Sequence, residues 1–140
     1  MRLNQVTITV NDMAKACDFY LTLGFTQIVS TEANGNHYAR FACPDGEATF
    51  SLSCLAGDSL QGSVSIQERK NASVIYFEHQ DLDEWVEALI QKGIKFEQLP
   101  VDESYLWREA VLFDPSGNKI KLYWAGENRL NPPWRVNIKQ

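Results

Sequence analysis

No apolar run in this chain reaches the 18 or so residues that a membrane-spanning helix needs, which argues against a bilayer partner. Basic residues are in deficit too. The 13 Lys and Arg against 18 Asp and Glu leave a net charge of -5, and no basic stripe is on hand to pair with phosphates, which argues against nucleic acid. The three cysteines, Cys17, Cys43 and Cys54, are odd in number and lack CxxC spacing, so they read as reduced thiols of a cytoplasmic protein. The opening MRLNQVTITVND alternates polar and apolar residues instead of forming a secretory h-region. Nucleophile signatures are missing as well: there is no GxSxG, no Cys–His spacing and no phosphate-cradling glycine loop. Histidine is scarce, with His37 in a Gly/Asn loop and His79 just ahead of a predicted helix. Surface or capping roles suit both; His37 is the better acid–base candidate, because it leads into a strand with Tyr38 and Arg40 on one face.

What is present is ordinary in amount. The 140 residues, 44% hydrophobic and 22% charged, suffice for one domain whose core needs no staples. Their order is less ordinary, because the chain repeats. QVTITVNDMAKACDFYLTLGF, from Gln5, aligns without a gap on VIYFEHQDLDEWVEALIQKGI, from Val74, at an offset of 69 residues. Each copy opens as a strand, with Val6, Ile8 and Val10 alternating against Gln5, Thr7 and Thr9 in the first. Each continues as a helix of about a dozen residues, started by Asp12 or Asp81 as side-chain caps and ended where Gly24 or Gly93 can take a positive φ.

The second halves also correspond. YARFACPDGEATFSLS matches EAVLFDPSGNKIKLYW, each a strand, a Pro/Gly turn and a strand, with Ser51 falling on Lys121. Between helix and hairpin there is room for one more strand, near Thr26–Thr31 and Lys95–Gln98. The expected fold is therefore α+β: two βαβββ modules in tandem, forming a curved, half-open mixed sheet around a cleft. Module one takes residues 1–55, a polar crossover 56–72, module two 73–124, and an extended C-terminal tail 125–140, with Trp134 packing on the domain or on a second subunit.

A doubled βαβββ unit carrying VTITVNDMAKACDFYLTLGF in its first half and REAVLFDPSGNKIKLYW in its second resembles the vicinal oxygen chelate superfamily. That group includes glyoxalase I, extradiol dioxygenases, fosfomycin-resistance enzymes and bleomycin-resistance proteins. The fold hosts several chemistries and passive binders, so the resemblance implies architecture more sharply than reaction. In metal-dependent members four inward-facing positions hold the ion, typically as His or Gln, Glu, His and Glu. The resemblance puts those positions at Gln5, Ser51, Val74 and Lys121, with Ser53 or Phe50 as alternatives to Ser51. Val74 offers no donor, and a dication about 4 Å from the ammonium of Lys121 would meet roughly 8 kcal/mol of repulsion at an effective dielectric of ~20. The implied protein holds no metal and no cofactor.

Lys121 then stands at the floor of the cleft, where relatives keep a metal-binding glutamate. Burying its charge is costly unless something pairs with it. Two partners are open: Glu78, which shares a strand face with Val74 and Tyr76, or an anionic ligand. Arg108 resembles a cleft-facing position of the superfamily, with a rim pairing to Glu109 or Asp102 as the alternative. Tyr76, Trp107 and Tyr123 give the cleft aromatic walls or fill a core, and Gln5 and Arg40 complete the candidate lining. Three functions follow from the resemblance. The first is a metal-free binder of a small anionic or aromatic molecule, with Lys121 as clamp and Glu78 as proton acceptor if there is lyase- or isomerase-type turnover. The second is a metal-dependent lyase, transferase or dioxygenase drawing ligands from elsewhere. The third is a resistance protein that sequesters without turnover. A homodimer is the expected assembly.

Overall fold

A computed structural model describes residues 1–57 and 73–136. Nearly all of the expected crossover and the last four residues of the tail lie outside them. The chain divides into two compact units, Met1–Ala72 with Asp114–Asn118, and Ser73–Phe113 with Lys119–Gln140. Each unit carries one four-stranded mixed sheet and one helix in the order β-α-β-β-β, so the α+β tandem predicted from the repeat is the observed architecture.

In the first unit the strands are β1 (Gln5–Thr9), β2 (Thr26–Ala33), β3 (Asn36–Ala42) and β4 (Thr49–Cys54), with helix α1 at Met13–Leu23. Their order across the sheet is β1-β4-β3-β2, with β1 parallel to β4 and the remaining pairs antiparallel. Alternation assigns the faces. Ile8, Phe41, Phe50 and Leu52 are buried under α1 with Ala16, Tyr20 and Leu23. Tyr20 packs its ring 4.7 Å from that of Phe50, and full burial of a side chain this large contributes about 2 kcal/mol. Asp12 caps α1 by accepting the Lys15 N–H at 3.0 Å, and Gly24 ends it at φ +114°, a conformation that costs any other residue strain. The β2–β3 turn is Asn34-Gly35, both at positive φ, which is the two-residue hairpin that matches strand twist.

The turn Asp114–Asn118 belongs to this first unit. The buried Asp114 carboxylate accepts the Tyr20 hydroxyl at 2.8 Å, the Asn118 N–H at 2.8 Å, the Ser116 N–H at 2.9 Å and the Asn118 Nδ2 amide at 2.9 Å. The same amide donates to the Thr9 carbonyl at 2.9 Å. A charge taken out of water is tolerable only when so surrounded by donors. In turn, burial and the neighbouring carboxylate push the Tyr20 phenol far above its ordinary range.

The second unit repeats the plan with β5 (Val74–Glu78), α2 (Leu82–Gln91), β6 (Gln98–Asp102), β7 (Arg108–Phe113) and β8 (Lys119–Trp124), ordered β5-β8-β7-β6. Leu82, Val86 and Leu89 of α2 are buried, as are Ala110, Leu112, Ile120 and Leu122 of the sheet. Three local expectations are corrected here. Asp81 makes no side-chain cap; its N–H instead donates to His79 Nδ1 at 2.9 Å, so the histidine takes over the capping role. The strand β6 begins at Gln98 rather than Lys95, and its pairing with β7 slips between Gln98 and Val101, where Pro100 has no N–H to give the ladder. The tail is not extended throughout, since Gly126–Arg129 form a single 3-10 turn.

Candidate functional site

Each sheet has one face under its helix and one face away from it, and the residues with chemistry sit on the latter. In the second unit that face carries Tyr76 and Glu78 of β5, Glu109 and Val111 of β7, and Lys121 and Tyr123 of β8, as the pairings Tyr76↔Lys121, Val111↔Lys121 and Glu109↔Tyr123 require. The lysine in the middle of β8 is therefore not a surface residue. Its Nζ donates to Glu109 Oε1 at 3.1 Å and stands 5.6 Å from the Tyr76 ring centroid. The Lys121 side chain is 18% exposed and that of Glu109 2%. Burial alone would lower the Lys121 pKa, but the hydrogen bond and charge of Glu109 outweigh it and hold the ammonium above the usual lysine value. Glu109 Oε1 also accepts the Tyr105 hydroxyl at 2.6 Å. Burial first, and then that bond, push the Tyr105 phenol upward.

Aromatic rings surround this ion pair. Trp107 stacks on Tyr123 with centroids 4.7 Å apart and planes at 17°, and Tyr76 meets both edge-on at 5.9 and 5.5 Å. Burial and the charge of Glu78 raise the Tyr123 pKa. Beside the rings opens a pocket of about 340 Å³. Tyr76, Tyr105, Trp107 and Glu109 line it from the sheet side, and Asn128, Arg129, Pro132 and Trp134 from the C-terminal segment.

The first unit uses the equivalent face differently. Tyr38 and Ser51 share a hydrogen bond of 2.8 Å, and Arg40 Nε donates to the same phenol at 3.0 Å. Burial would raise the Tyr38 pKa, but the bonds from Ser51 and Arg40, the Arg40 charge and Gln5 together pull it below the ordinary tyrosine value. Gln5 accepts the Thr49 hydroxyl at 2.8 Å.

Of the residues singled out from sequence, Lys121, Tyr76, Trp107 and Tyr123 come together in the second unit, and Gln5 and Arg40 in the first. Glu78 lies on the Lys121 face but is exposed and in register with Tyr123, one rung beyond the residue that faces the lysine. The ammonium's partner is Glu109, not Glu78. Arg108 falls on the opposite face, with Ala110 and Leu112, and reaches α2. Its guanidinium forms a two-pronged bond to Asp83 at 2.9 and 3.0 Å and a further bond to Asp102 at 3.1 Å. The expected rim pairing to Asp102 is present and the pairing to Glu109 is not. His37 lies 3.6 Å from Glu32, and His79 packs on Trp85 with centroids 5.2 Å apart. Sequence reasoning missed Glu109 and Tyr105 as members of the lysine's site. The signal was available, because Glu109 alternates with Val111, the residue directly across from Lys121.

The sequence model of the Glyoxalase/Bleomycin resistance protein/Dioxygenase superfamily matches residues 2–122. The chain belongs to that superfamily. It is 31% identical over 131 residues to the uncharacterised protein YraH of Bacillus subtilis (strain 168), covering 88% of this chain and 98% of YraH. A superfamily member from Sphaerobacter thermophilus DSM 20745 superposes with a TM-score of 0.67 at 26% identity, covering 88% of this chain and 96% of that one. TnmS3, an antibiotic binding protein from Streptomyces sp. CB03234, shares the fold with a TM-score of 0.69 at 21% identity, covering 90% and 97%.

Superfamily membership raises the question of a metal, and the side chains can be tested for fit. Of the four positions that the resemblance assigns to metal ligands, Val74 has no donor atom and Lys121 presents an ammonium held by Glu109. Ser51 is committed to Tyr38; of its two alternatives, Phe50 is buried under the helix and Ser53 offers only a hydroxyl. Among the described residues no three His, Cys, Asp or Glu side chains gather as a ligand set. This donor set does not fit a divalent ion. No helix among the described residues is long and apolar enough to cross a membrane.

Proposed function

We propose that the protein binds a small aromatic organic molecule, without a metal, in the pocket beside Trp107, and holds it without transforming it. The supporting observation is the pocket's wall. Tyr76, Tyr105 and Trp134 remain 43%, 40% and 56% exposed around a space of about 340 Å³, where a flat apolar ligand would cover them. Aromatic pairs favour offset or edge-on contacts worth about 1 kcal/mol beyond area burial, which a preformed set of rings offers without reorganisation. Retention rather than turnover is favoured by the state of the polar groups. Lys121, the expected electrostatic clamp, is engaged by Glu109, and Glu109 accepts from two donors on one oxygen, leaving neither poised for proton transfer. That the fold neighbour TnmS3 is an antibiotic binding protein agrees with sequestration. Three cysteines outside any disulfide agree with a reducing, cytoplasmic setting, and the reading includes the homodimer expected from the resemblance.

Titration with 2-naphthamide, followed by tryptophan fluorescence and calorimetry, tests the reading. Saturable binding is expected, unaffected by EDTA, with the amide recovered unchanged. Trp107→Ala and the milder Trp134→Ala should each weaken it, the former by about tenfold from loss of the stacking surface. Absence of saturation, or restoration of binding by zinc, nickel or manganese alone, would overturn it.

A further inference from the structure

The family match ends at residue 122, and half of the pocket's lining comes from beyond it. Asn128, Arg129, Pro132 and Trp134 are contributed by the segment after β8, beyond the residues that the superfamily model matches. Arg129 is the informative member. It is exposed, it ends the 3-10 turn Gly126–Arg129, and no carboxylate among the described residues lies within salt-bridge distance of it. The other charges at the pocket are already matched: Glu109 is 2% exposed and neutralised by Lys121, with Tyr105 donating to the same oxygen. Glu78 and Arg129 both act on the Tyr123 phenol, but Glu78 does not line the pocket and makes no ion pair with Arg129 within 4.0 Å. The pocket thus presents apolar rings, one internally compensated ion pair, and one guanidinium with no carboxylate among the described residues within salt-bridge distance.

From this, and resting on the aromatic-binding reading above, we infer that the ligand is an aromatic compound bearing an anionic group, and that Arg129 is its specificity-determining residue. The ring occupies the space against Trp107, Tyr105 and Trp134. The anionic group points away from the Glu109 carboxylate and towards the Arg129 guanidinium, whose planar fork suits a carboxylate or sulfonate. Asn128, next to it in the turn, supplies an amide that can donate to the same group.

The test compares two probes of nearly the same shape, 2-naphthoate and neutral 2-naphthamide, against the full chain at low and high salt. The expected result is a preference for the naphthoate of about two- to fivefold, within the range for an exposed charge pair, shrinking as salt is added. Arg129→Gln should bring naphthoate affinity down to that of the amide, whereas Arg129→Lys retains part of the preference. If the wild type binds both probes equally, or if Arg129→Gln keeps the naphthoate preference, the assignment of Arg129 fails while the aromatic pocket stands. If neither probe binds, the pocket reading fails and takes this inference with it.

Discussion

The two modules place a bonded pair at matching positions and give it opposite character. Tyr38 and Ser51 stand in the first sheet where Glu109 and Lys121 stand in the second, each pair one rung off direct registry. In the first module the pair is neutral, small and joined to Arg40 and Gln5, with no aromatic neighbours beyond Tyr38 itself among these contacts. In the second it is ionic, nearly dry and walled by Tyr76, Trp107 and Tyr123. One backbone plan thus carries a hydrogen-bonded surface on one copy and an aromatic pocket with an ion-paired floor on the other. Among the described residues, the second copy gathers aromatic rings around an ion-paired floor, whereas the pocket of the first, about 490 Å³ beside Asp12, His37 and Cys54, has no such ring cluster.

The sharpest way to break the comparison is Lys121→Met. Removing the ammonium strands the Glu109 carboxylate at 2% exposure, and the expected loss is about 3 kcal/mol in chemical denaturation, since one partner of a buried pair is left uncompensated. A change under 1 kcal/mol would mean that the pair is wetter than described. Ser51→Ala, the matched substitution in the first module, should cost only about 1 kcal/mol, because the Tyr38 phenol keeps the Arg40 donor. Equal losses for the two variants would erase the distinction between the modules.

The smallest expected effect is read by alkaline titration of tyrosine absorbance at 295 nm. Tyr38 is held below its ordinary value, whereas Tyr20, Tyr105 and Tyr123 are held above theirs. The curve should begin early, and the early part should vanish in Tyr38→Phe. The signs for stability differ accordingly. A lowered phenol pKa in the folded state adds stability as pH rises through it. The raised tyrosines and the raised Lys121 give stability that is complete below their unfolded values near pH 10 and is lost above them. An early phase that survives in Tyr38→Phe would contradict the assignment.

The fold was legible because its signals are local and were given twice. The offset repeat, the alternation in β1 and β4, and Asp12 and Gly24 around α1 each act through backbone geometry that neighbouring residues dictate. The second strand of module two was placed too early, because where it begins depends on its pairing with β7, which starts at Gln98 and slips again around Pro100. At the site, the buried lysine was legible as an anomaly: a charge at a strand position that alternation turns inward. Its partner was not, because Glu109 and Glu78 compete from different strands and only the rung spacing of β7 against β8 decides between them. Arg108 was assigned to the wrong face for a related reason, since a shift of one residue along a strand exchanges its two sides.

The Asp114 turn has a practical corollary. Although the repeats look like two cassettes, a stop codon placed between them would release a first half lacking the aspartate that receives the Tyr20 hydroxyl and the asparagine that donates to Thr9. A first half made alone would therefore have to borrow the missing turn from elsewhere to close its own core.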